Sequence, residues 1–176
     1  MSNNKKTAKP FDRYGNQEKY VFFWKDKSIY SNWHHSPYQL DGHNFQNSEQ
    51  GMMYGKAILF GDTVTAQHIL ETDSPSGAKG LGRVVENFSE DVWRDNREEI
   101  MYKHLLAKFT QNPTLKQTLL ETGDRLLAEA SPSDAIWGIG MKEHEAIETH
   151  PSKWKGLNLL GKALVRVRET IVRDGL

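Results

Sequence analysis

The chain has 176 residues, in which 23 Lys and Arg balance 23 Asp and Glu. That length supports one domain with a substantial core, and the balance argues against nucleic-acid binding through a large basic surface. The absence of Cys excludes disulfides, thiolate metal sites and a Cys nucleophile, and no apolar run reaches bilayer length. Residues 1–17 are rich in Asn and Lys and read as a flexible arm ahead of a domain spanning 18–176. Met1 to Pro10 lack the apolar stretch of a secretory signal, so a cytoplasmic protein without membrane attachment is expected.

Along the chain, Lys19 to Trp24 is aromatic and β-branched, the composition of a strand. Tyr38 to Phe45 reads as a hairpin, with Asp41-Gly42 suited to a type I′ turn. Asn47 and Gln50 have capping-box spacing, and Met52, Met53, Tyr54, Ala57 and Leu59 supply the buried positions of the helix they open. Asp62 caps a second helix. Ser74 to Gly82 reads as a Gly-rich connection, and Ser89 opens a longer helix to about Phe109. Asn112-Pro113 starts another, ending before Gly123. Arg125 to Ala130 fits either a strand or a helix end, and Ser131 to Gly140 reads as a loop. The last helix, about Asn158 to Arg173, carries Leu160, Leu164, Val167 and Ile171 on one stripe. The expected architecture is a single α+β domain, mainly α-helical, with a small β-sheet near its front end.

Five segments hold more polar and aromatic residues than a core needs. In the first, Ser31, Asn32 and Trp33 offer hydroxyl, amide and stacking partners to a sugar or base; the competing reading is a polar loop bonded to its own backbone. In the second, Glu49 and Lys56 lie two helical turns apart on one face. Glu49 sits in the first turn, where the helix dipole favours its carboxylate and suits it to general-base work. Partial desolvation of Lys56 would free its amine as a nucleophile; the alternative is a solvated helix face. In the third, Gly82 and Arg83 follow Lys79-Gly80-Leu81, where glycines admit an anion to backbone N–H groups and Arg forks onto phosphate. In the fourth, Asp134, Trp137 and Gly138 combine a carboxylate, a stacking face and close backbone approach; a Trp buried over an Asp-capped turn competes equally. In the fifth, Asn158 opens the last helix, either as an anion-binding end or as an ordinary cap. The adjacent His34 and His35 lack a matching carboxylate or Cys, so no metal site is expected.

None of these segments decides function alone, but their order does. SNWHHSPY (from Ser31), FQNSEQGMMYGKA (from Phe45), LGR (from Leu81), WRDNREEIM (from Trp93), KFTQNP (from Lys108), EASPSDAIWGIG (from Glu129) and WKGLNLLGKAL (from Trp154) resemble the successive blocks of the NADAR (YbiA-like) family. The resemblance runs from about residue 20 to the C-terminus. It implies a single mainly helical α+β domain without metal or other cofactor. It also implies N-glycosidase activity on phosphorylated ribosylamino-pyrimidine intermediates of riboflavin synthesis, or on ADP-ribosyl-guanine in nucleic acid.

By the same resemblance, Ser48, Glu49 and Lys56 fall on the family's catalytic helix, Asp134, Trp137 and Gly138 on its Asp-x-x-Trp-Gly block, and Gly82 and Arg83 on its Gly-Arg block. Gln50 stands where YbiA-type members carry His. Ile139 stands where they carry an acidic residue, a change expected to bear on substrate choice. The implied site has Glu49, Lys56 and Asp134 as catalytic groups. Ser31, Asn32, Trp33, Ser48, Gly82, Arg83, Trp137, Gly138 and Asn158 would bind substrate. The expected partner is a small ribosylamine phosphate or ADP-ribosylated nucleic acid, with a non-catalytic ADP-ribose or nucleotide reader as the alternative. The oligomeric state is unknown from the sequence.

Overall fold

The computed structural model describes residues 11–176. Of the expected 1–17 arm, residues 1–10 lie outside the described residues. Asn16 is fully buried, and its side-chain amide donates to the carbonyls of Ala146, Ile147 and Thr149. Helix α1 (Asn16–Lys19) leads into strand β1 (Tyr20–Phe23), which pairs in parallel with β4 (Leu126–Glu129), from Tyr20↔Leu126 to Phe23↔Glu129. The ambiguous segment after Arg125 is therefore a strand. Leu127 and Ala128 are both buried, one in the main core and the other in a second cluster with Ile139 and Met141. Burial on both faces is the environment of a parallel strand.

The hairpin forms as expected from β2 (Tyr38–Leu40) and β3 (His43–Phe45), with positive φ at Asp41 (50°) and Gly42 (81°). Helix α2 (Ser48–Leu59) starts at Asn47, whose side chain accepts from Gln50 N at 2.9 Å. The return bond is displaced by one residue, because Gln50 Oε1 accepts from Gln46 N rather than from the cap itself. Gln50 Nε2 donates to the carbonyls of Ile69 and Thr72, tying α2 to the end of α3 (Thr63–Glu71). Asp62 caps α3 through Thr65 N and also accepts from Glu86 N.

Ser74 to Gly82 is not a loose connection. Pro75–Gly82 is helix α4, opened by Ser74 Oγ accepting from Gly77 N, with Pro75 in the first turn. The cap and the preset φ of Pro favour nucleation. The glycines, poor helix formers by propensity, are offset by packing. Ala78 is fully buried, and a Cβ at Gly82 would collide with Met53 of α2.

The long helix α5 (Glu90–Gln111) sends Met101, Leu105 and Phe109 into the core between Met52 and Ala57 of α2 and the stripe of α8 (Leu159–Asp174). All four expected stripe residues of α8, Leu160, Leu164, Val167 and Ile171, are buried. Helix α6 (Pro113–Leu120) follows α5, and the short α7 (Glu143–Glu148), with no counterpart in the sequence reading, covers Asn16. No helix of the described residues is long and apolar enough to cross a membrane.

Candidate active site

The two parallel strands end side by side, with Ala130 N donating to Phe23 O at 2.8 Å. Their carboxyl ends release the loops 24–37 and 130–140, as parallel strands commonly do around ligands. With α2 and the last turn of α4, these loops enclose a cleft of about 660 Å³. Glu49, Lys56 and Asp134 line it, and so do Ser31, Asn32 and Trp33. Gly82, Arg83 and Trp137 complete the expected residues that meet there.

Glu49 is nearly sealed, at 5 % exposure. Its backbone N–H donates to Asn32 O at 3.0 Å, which brings the loop of Ser31 to Trp33 across the start of α2. Burial pushes its carboxyl up to about 7, with Asp134 adding to the rise; Lys79, a hydrogen bond from the Trp33 side chain and Arg83 pull the other way. The expectation that the helix dipole would dominate is therefore corrected. Desolvation outweighs a first-turn dipole when almost no water reaches the group. A carboxyl balanced near neutrality moves protons in either direction.

Lys56 is half-buried, and burial lowers its pKa, partly opposed by Glu90. Its Nζ donates to Gly82 O at 2.7 Å and lies 4.3 Å from the centre of the Phe88 ring. Gly82 thus serves Lys56 through its carbonyl. Inside a helix its N–H is not part of an anion nest, which corrects the third segment's reading. Lys79 in the last turn of α4 and Arg83, its C-cap, both reach the cleft.

Asp134 does both things the sequence left open. Its Oδ1 accepts from Ile136 N (2.9 Å) and Trp137 N (2.8 Å), fixing the turn, and the residue still lines the cleft. Trp24 and Trp33, 41 % and 38 % exposed, present further ring surface at its edge.

Three expected ligands do not line the cleft. Ser48 is buried behind it, donating to Asn32 Oδ1 at 3.0 Å, so it orients Asn32 instead of touching a ligand. At Gly138 an added Cβ would press on the carbonyl oxygens of Asp134 and Glu129, so this glycine serves loop packing. Asn158 adopts positive φ (54°), and its side chain clamps β4, donating to Leu127 O and accepting from Glu129 N. Both ends of the amide thus hold the strand, and the residue lies outside the cleft.

The two positions at which the resemblance implied a departure, Gln50 and Ile139, also fall outside the cleft. Gln50 is the buried staple described above. Ile139 is fully buried in the second cluster, so it cannot choose substrate by contact.

The sequence reading gave no role to Glu129, Lys79 or the segment Trp24-Lys25-Asp26, all of which line the cleft. It also missed Lys108 of α5, fully buried, whose ammonium donates to Ile29 O (2.7 Å) and Ser31 O (3.0 Å). Burial lowers this amine to about 7. Lys108→Met removes both bonds and frees the loop of Ser31 to Trp33. A charge-assisted hydrogen bond contributes about 1.5–3 kcal/mol, so KM is expected to rise roughly tenfold or more, and kcat to fall with it, because the same loop holds Glu49 through Asn32 O and the Trp33 side chain. Steady-state kinetics check this, and an unchanged KM counts against the anchor.

The profile of the NADAR domain family matches residues 22–172. An N-glycosidase of Acanthamoeba polyphaga mimivirus is 41 % identical over 163 residues, covering 86 % of this chain and 96 % of its own. The N-glycosidase YbiA of Escherichia coli (strain K12) is 32 % identical over 146 residues, covering 83 % and 82 %. The solved NMR structure of E. coli YbiA superposes with a TM-score of 0.74 at 27 % identity, covering 96 % of this chain and 95 % of that one. The chain belongs to the NADAR domain family and is an N-glycosidase.

Proposed function

We propose that the chain hydrolyses the bond between ribose C1 and an amino nitrogen in one of two substrate classes. One is an ADP-ribose conjugate such as ADP-ribosyl-guanine in nucleic acid; the other is a phosphorylated ribosylamino-pyrimidine of riboflavin synthesis. The observation that carries this reading is a buried carboxyl balanced near neutrality, Glu49, with Lys79, Arg83 and several indole faces around one cleft. Lys79 and Arg83 suit a phosphate, Arg83 with a bidentate fork. Trp33 or Trp137 suits the base, stacking being worth about 1–3 kcal/mol. Asp134, whose Oδ1 is committed to its own turn, has its other oxygen for ribose hydroxyls.

A ribosylamine opens to an imine, and a neutral Lys56 amine then displaces the leaving amine as a Schiff base at C1 that water hydrolyses. The lowered pKa of Lys56 supports this route. The hold of Gly82 O on its ammonium and the nearby Phe88 ring favour a direct attack by water, in which Lys56 stays charged. Borohydride added during turnover separates the two. A reduced adduct mapped to Lys56 by mass spectrometry is expected for the Schiff base, and no adduct with an active Lys56→Ala rejects it. For the reaction itself, the protein is incubated with an ADP-ribosylated guanine oligonucleotide and, separately, with a phosphorylated ribosylamino-pyrimidine. Chromatography should show free base with ADP-ribose or ribose phosphate from one of them; cleavage of neither rejects this reading.

A further inference from the structure

Glu129 is the last residue of β4 and stands at the floor of the cleft. Its backbone is held on three sides. Its N–H donates to Asn158 Oδ1 (3.1 Å), its carbonyl accepts from Ile139 N (2.9 Å), and it pairs in register with Phe23. So rigid a mounting gives the side chain little freedom to leave the floor.

The carboxyl it carries is unusual in its surroundings. Oε2 is shut off from solvent and has no hydrogen-bond partner among the described residues. The charged groups around it are Glu49 from α2, Asp134 from the following loop and Lys79 from α4, two anions against one cation. Glu49 shares Lys79 and adds Arg83 and the Trp33 side chain as stabilising partners, besides its place in the first turn of a helix. The two buried carboxyls are thus unequal. A lone negative charge is better accommodated on Glu49 than on Glu129, whose sealed oxygen has no donor to meet a charge. As a neutral acid, Glu129 can leave Oε2 as the carbonyl oxygen, which tolerates lacking a partner better than a carboxylate oxygen does. The hydroxyl then belongs to the oxygen on the cleft side. Burial and the neighbouring anions push Glu129, like Glu49, up to about 7.

We propose that Glu129 is a further catalytic residue, the general acid that protonates the leaving nitrogen, paired with Glu49 as the base that takes the proton from water. The Glu129 hydroxyl proton passes to the glycosidic nitrogen as the C1–N bond breaks with its electron pair on nitrogen. The water oxygen bonds to C1, and its proton goes to the Glu49 carboxylate. One proton then returns from Glu49 to Glu129, directly or through solvent, and the pair is reset. If a lysine Schiff base intervenes, the leaving amine still needs the same proton from Glu129. Paired carboxyls, one serving as acid and the other as base, are a general device of bond hydrolysis at sugars.

The inference rests on the N-glycosidase reading, and two measurements keep the two apart. Carboxyl-carbon NMR of the full chain is the first and needs no substrate. Glu129 is expected to titrate near 7, and Glu49→Gln is expected to move that midpoint down, because removing a neighbouring anion eases ionisation. A Glu129 midpoint in the ordinary carboxylate range, or one indifferent to Glu49→Gln, overturns the proton pair whatever the enzyme cleaves.

The second is kinetics on whichever of the two substrate classes the wild type hydrolyses. Glu129→Gln keeps shape and a hydrogen-bond donor but cannot give up a proton, so kcat is expected to fall about 10²–10⁴-fold. KM should stay within a few-fold, and the alkaline limb of the kcat profile should disappear. Glu129→Asp is expected to recover part of the rate. Near-wild-type kcat in Glu129→Gln, or a wild-type alkaline limb, overturns the assignment. If neither substrate is cleaved by the wild type, the substrate reading fails while the NMR titration still decides whether Glu49 and Glu129 share a proton.

Discussion

Glu49→Gln is expected to lower kcat by about 10²–10⁴-fold and at the same time to raise the thermal midpoint at pH 8. Loss of rate follows from removing the group proposed to accept a proton from water. Gain in stability follows from the burial of the same group. The carboxyl is pushed from its ordinary value of 4.5 to about 7 by desolvation, which Asp134 reinforces and Lys79, Trp33 and Arg83 only partly offset. Between those two values the native state keeps a proton that the unfolded chain has lost. Stability therefore falls as pH rises from 4.5 to 7, and at pH 8 the native protein carries the full cost of a buried charge.

Glutamine has no such charge, so the variant's advantage should be present at pH 8 and vanish by pH 5. Melting followed by circular dichroism at both pH values, with product release measured in parallel, checks both halves. A variant less stable than the wild type at pH 8 would contradict the electrostatic account. Glu129 acts in the same direction, raised to about 7. His104, held near 3 by burial beside Tyr38, acts in the opposite one. It stays neutral in the fold while the unfolded imidazole gains a proton below about 6.5, so its contribution is lost as pH falls. Such a balance of activity against stability is common where a site holds groups the fold would not choose.

Gly161→Ala has the largest expected effect on the fold, a loss of about 3 kcal/mol or more. A Cβ there falls on Leu127 O of β4 and comes within 2.6 Å of both polar atoms of the Asn158 amide. Neither side can give way. β4 is fixed by its pairing with β1, and α8 by Leu160 and Leu164, which are fully buried on either side of the glycine. Retreat of α8 would also break the Asn158 clamp and free the backbone of Glu129. Urea unfolding should show a much lower midpoint, and the fraction that remains folded should turn over slowly. Gly80→Ala is the matching control. Nothing lies within 4 Å of its added Cβ, and in helix α4 it should be neutral or stabilising by about 0.5–1 kcal/mol. Equal midpoints for the two variants would refute the close-approach argument.

The elements that local chemistry determines were legible in the sequence. The hairpin turn needed positive φ at Asp41 and Gly42, α2, α3 and α5 opened on Asn47, Asp62 and Ser89, and the stripe of α8 had a period of its own. Helix α4 was hidden because glycine content suggested a loop, while the contact that makes those glycines useful lies on Met53, far away in the chain. Arg125 to Ala130 stayed ambiguous because a strand buried on both faces has no alternation, and its partner β1 is distant in sequence.

The site was readable to the same extent. The residues of the SNW, NSEQ and SPSDAIWG stretches do meet, as the order of the blocks suggested. Roles set by three-dimensional neighbours were not readable. Asn158, read as an anion-binding end or an ordinary cap, is a clamp; Ile139, read as a specificity position, is core; and Glu129, in a run that fitted either a strand or a helix end, lines the cleft. Two signals could have drawn attention to it: it opens the EASPSDAIWGIG block, and it stands at the carboxyl end of a parallel strand.

That parallel pair also constrains how the enzyme comes into being. Strand partners roughly a hundred positions apart close a loop that contains most of the helices, and closing so long a loop costs entropy before it brings reward. Helices α2 to α5 can assemble from near neighbours, but the floor of the cleft awaits β4 and the α8 clamp. A chain still lacking β4 and α8 therefore carries Glu49 and Lys56 without the surface that faces them. Activity should appear late and all at once, when the last third of the chain emerges.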